Sequence, residues 1–244
     1  MFNAEKVCED IVKWTKEWFD INGADCNAII GISGGKDSTI VAALCVKALG
    51  VDRVIGVLMP NGIQEDIDVS AAVCKHLGIK NYTINIQKAF SGIMDELNTE
   101  LPKVTQQTIV NVQPRLRMSV LYAVSQSFNG RVASTSNLSE EFVGYTTRYG
   151  DLAGDFATIS SLTASEVKEI GKVLGLPLEF IDKVPIDGLS DKTDEENLGF
   201  SYDVLDKFIR TGVCENEKIK EKILRLNKIN QFKLKPVEFF NYEQ

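Results

Sequence analysis

"GISGGKDS", residues Gly31 to Ser38, follows the apolar run Ala28-Ile29-Ile30 and opens a helical apolar period. It places two serines, two adjacent glycines, a lysine and an aspartate at the end of a buried strand. A glycine-rich turn between a strand and a helix generally cradles phosphate. Glycines let the backbone approach closely, and the helix N-terminus presents free N–H groups and partial positive charge. Two named versions fail on spacing. The Walker loop would need glycine at position 30, which is Ile30, and Lys36 is followed by Asp37 rather than Ser or Thr. The dinucleotide fingerprint GxGxxG fails because position 33 is Ser33. For the glycines alone, a tight strand-to-helix connection is the competing explanation.

Outward from this turn, strand-length apolar runs alternate with helical periods. Residues 28–32, 53–59 and 81–86 read as strands, and residues 38–49 and 65–77 as helices between them. A long helix follows over 108–128, then a short strand over 131–135. Thr163-Ala-Ser-Glu166 reads as a capping box opening another helix, and 201–211 and 215–230 read as closing helices. Leu49-Gly50, Leu77-Gly78 and Leu174-Gly175 each place glycine just past a helix end. The rhythm predicts an α/β fold, a parallel sheet flanked by helices on both faces. There is no internal repeat or evident linker, so residues 1–244 read as a single domain.

Composition narrows the function. The chain has 27 basic and 34 acidic residues and a net charge of −7, which argues against nucleic acid as a partner. No apolar stretch reaches the length of a membrane span, and the N-terminus lacks a signal-peptide core, so no membrane partner and a cytoplasmic location are expected. The five cysteines form no CxxC pair and read as mostly buried thiols. His76 is the only histidine, which speaks against zinc enzymes and His-based triads.

Ser33-Gly34-Gly35-x-Asp37-Ser38 resembles the pyrophosphate loop of the ATP-pyrophosphatase superfamily. Further strings resemble the ammonia-dependent NAD synthetases. These are Asn111-Val-Gln-Pro-Arg115-Leu-Arg117-Met118, then Thr135-Ser-Asn-Leu-Ser-Glu140, then Gly144-Tyr145-Thr146-Thr147-Arg148-Tyr149-Gly150-Asp151. A last block comprises Leu189, Thr193-Asp194-Glu195, Leu198-Gly199, Tyr202 and Asp206. They occur in order over nearly the whole chain.

The resemblance implies an adenine nucleotide alpha hydrolase-like, Rossmann-like fold and an amidating ligase. ATP would adenylate the nicotinate carboxylate of deamido-NAD, and ammonia would displace AMP to give NAD. By the same resemblance, Gly31, Ile32, Ser33, Gly34, Gly35, Lys36, Asp37, Ser38, Gln64 and Thr135 meet ATP. Asp37 and Glu140 hold Mg²⁺. Arg115, Arg148 and Asp155 meet deamido-NAD, and Asp151 holds ammonium and accepts its proton. A homodimer is implied as well, and Val110, Val112, Leu116, Val120, Leu121 and Val124 are too many apolar positions for one stripe of the long helix. Free ammonia rather than glutamine is expected as nitrogen source. Pro185 to Asn197 reads as a loop that closes over the substrates.

Bland readings stand beside these. Lys36 could be solvated, Arg115 and Arg117 could pair with acids, and Glu140 could be a first-turn helix acid. The alternatives in function are another ATP-pyrophosphatase reaction, such as thiolation, or a non-catalytic nucleotide-binding homologue. The chain also departs from the family pattern. Ala164 stands where lysine is usual, Pro185-Ile186-Asp187 loses a hydroxyl, and Gln231-Phe232 replaces a His-Lys pair, with Lys233 adjacent. Position 148 is arginine where lysine is commoner.

Overall fold

The computed structural model describes residues 2–64, 67–182 and 193–242. In chain order the elements are α1 (Ala4–Asn22), β1 (Asn27–Gly31), α2 (Lys36–Leu49), β2 (Val54–Leu58), α3 (Ile67–Leu77), β3 (Lys80–Thr83), α4 (Gln87–Glu100) and α5 (Gln106–Ser127). They continue as β4 (Gly130–Ser134), α6 (Leu138–Val143), β5 (Phe156–Ala157), α7 (Ala164–Val173), α8 (Leu178–Ile181), α9 (Asp194–Leu198), α10 (Tyr202–Thr211) and α11 (Glu217–Asn230).

The strands form a parallel sheet in the order β3-β2-β1-β4-β5. The predicted α/β architecture is therefore the observed one, and the strand and helix boundaries shift by only one to two residues at most elements. β1 is apolar without alternation because both of its faces are covered. Ile30 points into the larger core with α2 residues Ile40, Val41 and Leu44 and with Phe19, Val167 and Ile170. Ile29 points to the other face, with Ile55, Val57 and Val124. Both isoleucines are fully buried, each worth about 1.5–3 kcal/mol of burial. A third, smaller core joins α6, α10 and α11 through Val143, Leu205 and Ile223.

α5 lies across the second face, and Val120, Leu121 and Val124 pack there against the sheet. Val110, Val112 and Leu116 stay half-exposed one to three turns earlier. The three Leu-Gly helix ends behave as predicted, with Gly50, Gly78 and Gly175 all at positive φ. Residues 183–192 lie outside the described residues, and so does most of the expected closing loop. Its last part is not loop: Thr193 caps α9 through a reciprocal box with Glu196.

Candidate active site

The chain leaves β1 toward β2 and β3 on one side, and β4 lies on the other side of β1. This reversal of strand order opens a crevice beyond the carboxyl ends of β1 and β4, the usual ligand position in an open α/β sheet. Residues 32–35 leave β1 there, and residues 135–137 leave β4 there.

The turn after β1 folds on itself. Ser33 Oγ and Ser38 Oγ lie 3.1 Å apart, the Gly35 N–H donates to Ser33 Oγ at 3.2 Å, and Ser38 Oγ donates to the Gly35 carbonyl at 3.2 Å. Gly34 has φ +78°, and a Cβ there would meet the backbone nitrogen of Ser70 at 3.3 Å. The loop thus needs glycine for conformation and for close packing on α3. Lys36 and Asp37 begin α2.

Asp37 meets the β4 side through Asn137. Asn137 Nδ2 donates to Asp37 Oδ1 at 3.2 Å. The same amide is the N-cap of α6: Asn137 Oδ1 accepts the Glu140 N–H at 3.1 Å, and Glu140 Oε2 accepts the Asn137 N–H at 3.3 Å. Asn137 is fully buried. The Glu140 carboxyl is held well above the usual carboxylate range, first by burial and then by the facing Asp37 charge. Glu140 is thus both a helix-capping acid and a charge facing Asp37. Two hard carboxylates pushed together fit Mg²⁺, which takes one or two protein carboxylates and completes its shell with water and phosphate. A closed cage would not suit that ion, and no group of three or more His, Cys, Asp or Glu side chains placed to hold a metal occurs among the described residues.

Lys36 is not solvated. Its side chain is 3% exposed, and Nζ lies 2.7 Å from Asp37 Oδ2. Burial works against its charge, but Asp37, Glu140 and Asp194 outweigh burial and hold its pKa above the ordinary value. Ala164, where the family usually has lysine, is buried in the α6–α10 core beside Tyr202 and Leu205.

A second group of residues lies beyond α5. Thr147 Oγ1 donates to Asn111 Oδ1 at 3.0 Å, and Asp151 Oδ1 accepts the Thr147 N–H at 2.6 Å. Arg115 Nε donates to the Arg148 carbonyl at 3.4 Å, and Arg117 Nε to the Met59 carbonyl at 3.1 Å. Within the chain, both arginines donate to backbone carbonyls. Arg148 lies over the rings of Tyr149 and Phe232 and donates to the Lys235 carbonyl at 3.2 Å. Gly150 permits this loop to approach α5, since a Cβ there would sit 3.0 Å from Pro114 Cβ.

Asp155 is tied at both oxygens, to the Val132 N–H at 2.8 Å and to Tyr122 OH at 3.3 Å. It lines a cavity of about 370 Å³ with Ser134, Glu141, Ser160 and Lys233. Lys233 reaches in from the C-terminal segment, donating to the Gly144 carbonyl at 2.7 Å and the Thr146 carbonyl at 3.0 Å. Lys233 thus provides an ammonium at this end although the His-Lys pair is missing. Asn137 lies within the Thr135–Glu140 string, yet the motif reading gives it no role. The spacing Asn137-x-x-Glu140 carries a capping signal, but nothing local signals its contact with Asp37. Gln64 lies in the connection after β2, and Thr135 directly follows β4.

Comparison with known proteins agrees with this geometry. The family model described as NAD synthase matches residues 7–241. The NH(3)-dependent NAD(+) synthetase of Methanococcus aeolicus is 39% identical over 226 residues, covering 88% of this chain and 87% of that protein. Among solved structures, NMN synthetase from Francisella tularensis superposes with a TM-score of 0.90 at 31% identity, covering 99% of this chain and 100% of that one. NH3-dependent NAD synthetase from Campylobacter jejuni superposes with a TM-score of 0.80 at 30% identity, with the same coverage.

Proposed function

The chain belongs to the NAD synthase family and is a ligase, and on that premise we propose how its crevice divides the work. The reaction is the amidation of deamido-NAD with ammonia, driven by cleavage of ATP to AMP and pyrophosphate. The observation that carries the assignment of roles is the meeting of Asp37, from the β1 turn, with the Asn137–Glu140 cap after β4.

The backbone N–H groups of residues 33–38 and the hydroxyls of Ser33 and Ser38 receive the pyrophosphate part of ATP. Gln64, in the connection after β2, and Thr135, directly after β4, meet the rest of the nucleotide. Asp37 and Glu140 hold Mg²⁺, which when bound neutralises charge on the leaving pyrophosphate. Arg115, Arg148 and Asp155 orient the dinucleotide so that its carboxylate faces the α-phosphorus of ATP. Asp151 holds ammonium and takes its proton, so that a neutral amine attacks. Catalysis by these groups is mainly positioning and charge neutralisation. The half-exposed Val110, Val112 and Leu116 support a homodimer that buries this part of α5. The direct test is pyrophosphate release, which should require ATP, deamido-NAD and ammonium together.

A second reading concerns the substrate's size. The Francisella structure is an NMN synthetase, and its likeness supports amidation of the corresponding mononucleotide carboxylate by the same residues. Comparing kcat/KM for the mononucleotide and the dinucleotide decides between them. A ratio above one for the mononucleotide would favour the second reading.

No helix among the described residues is long and apolar enough to cross a membrane.

A further inference from the structure

A lysine inside a carboxylate cluster that is to bind a divalent ion is an unusual choice, since both cations seek the same oxygens. Lys36 Nζ is 2.7 Å from Asp37 Oδ2, while Asn137 holds the other oxygen of the same carboxylate at 3.2 Å. Glu140 and Asp194 also act on the ammonium. An aromatic ring also lies close: Nζ is 5.8 Å from the centre of the Tyr202 ring, within cation–π range. Tyr202 is 8% exposed, and its hydroxyl is buried without a hydrogen-bond partner.

One acid, Asp37, thus touches the buried cation, a ring lies beside it, and Glu140 and Asp194 add to the negative field around it. Glu140 and Asp194 come from opposite ends of the α6–α9 region, while Lys36 and Asp37 come from the start of α2. An ammonium with three donors on a flexible stem can also leave one carboxylate for another acceptor, which a rigid guanidinium does less readily.

We propose that Lys36 is a resident counter-cation of the Asp37 carboxylate, a positioning residue that holds this side chain against the Asn137 amide and competes with the divalent ion for it. The inference rests on the assignment of Asp37 and Glu140 as metal ligands. For an ion to use Asp37 Oδ2, Nζ would have to leave that oxygen, and the freed ammonium would then lie beside the turn that receives the pyrophosphate. The chain thus trades some affinity for the ion against a binding arrangement that is maintained by its own side chain.

The test uses the full chain without nucleotide and Mn²⁺ as the probe. Lys36→Met keeps the length and removes the charge. It should melt roughly 10 °C below wild type in chelator, and saturating Mn²⁺ should recover at least half of that gap while shifting wild type little. Its affinity for Mn²⁺, read by electron paramagnetic resonance of the free ion, should be at least about tenfold tighter than wild type. Lys36→Arg, which keeps the charge but gives up Asp37 less readily, should bind Mn²⁺ no more tightly than wild type. Equal or weaker Mn²⁺ binding by Lys36→Met would overturn the proposal, as would a melting gap that Mn²⁺ does not narrow.

If Lys36→Met yields no folded protein, the double variant with Asp37→Asn decides. Removing one acid together with the cation should restore folding, and an unfolded double variant would overturn the proposal. None of these readouts needs turnover. Failure of wild type to amidate would sink the metal-dependent reaction and leave the cation result standing. Normal amidation with unchanged Mn²⁺ binding in Lys36→Met would sink this inference alone.

Discussion

Asn137 Nδ2 donates to Asp37 Oδ1 at 3.2 Å, across 100 residues of sequence, and this one amide also caps the helix that carries Glu140. Two functions meet in the side chain, and substitutions can separate them. Asn137→Ala should lose the cap, about 1 kcal/mol, and release Asp37. Asn137→Asp keeps an acceptor for the Glu140 N–H but sets a buried carboxylate against Asp37. Melting temperatures should fall in the order wild type, Asn137→Ala, Asn137→Asp. A more stable Asn137→Asp would mean that the cap, not the contact with Asp37, is what matters.

Asp37→Asn and Glu140→Gln each remove a charge with little change of volume. Both proteins should fold, with circular dichroism like wild type, and each should release pyrophosphate at least about a hundredfold more slowly. Near-normal turnover at ordinary Mg²⁺ would take that residue out of the metal site.

The nitrogen source follows from the thiols. Use of glutamine needs an activated nucleophile. Burial pushes Cys45 up to about 12 and Cys74 up to about 11, so neither is a thiolate near neutral pH. Product formation should therefore depend on ammonium and rise with pH as more of it loses its proton. Equal product from glutamine alone, with contaminating ammonium removed, would contradict this.

The same burial predicts selective labelling. Cys8, Cys26, Cys45 and Cys74 are buried, and Cys214 is partly exposed. A maleimide applied to the native protein should add once, at Cys214, as read by mass spectrometry of peptides. Early labelling at Cys45 would indicate that the packing of α2 opens readily.

Leu116→Lys places a charge on the half-exposed part of α5, away from the sheet contacts of Val120 and Val124. Sedimentation should show a dimer for wild type and a monomer for the variant, with the melting temperature of the monomer still cooperative. A wild-type monomer at micromolar concentration would remove the proposed pairing.

The sheet was legible because β1, β2 and β4 are short apolar runs set apart by glycine-ended helices. α4 was not, since Met94 is its only buried residue among the described ones and Gly92 interrupts its period. β5 is two residues long and carries no periodic signal at all. In the site, the Ser33–Ser38 turn declared itself through residue type. Lys36 reads as a surface lysine in any local window, because the contacts that bury it, Tyr202 among them, and the further acids Glu140 and Asp194 lie more than a hundred residues away in sequence, although its main partner Asp37 is adjacent. Asp155 shows the opposite limit. Its resemblance-based role is with substrate, yet both oxygens already serve Val132 and Tyr122, a structural duty that a motif does not reveal.

The strand order carries a consequence for how the molecule is made. β1, β2 and β3 are consecutive and can pair as the nascent chain emerges, which completes the serine–glycine turn early. β4 must cross back over them to reach the free edge of β1, a pairing of large sequence separation and correspondingly slow closure. Until it docks, Asn137 and Glu140 are nowhere near Asp37. Competence to grip a metal–nucleotide is thereby withheld from a half-assembled chain, and recovery of Mn²⁺ binding during refolding should coincide with the last kinetic phase rather than with the first gain of helix.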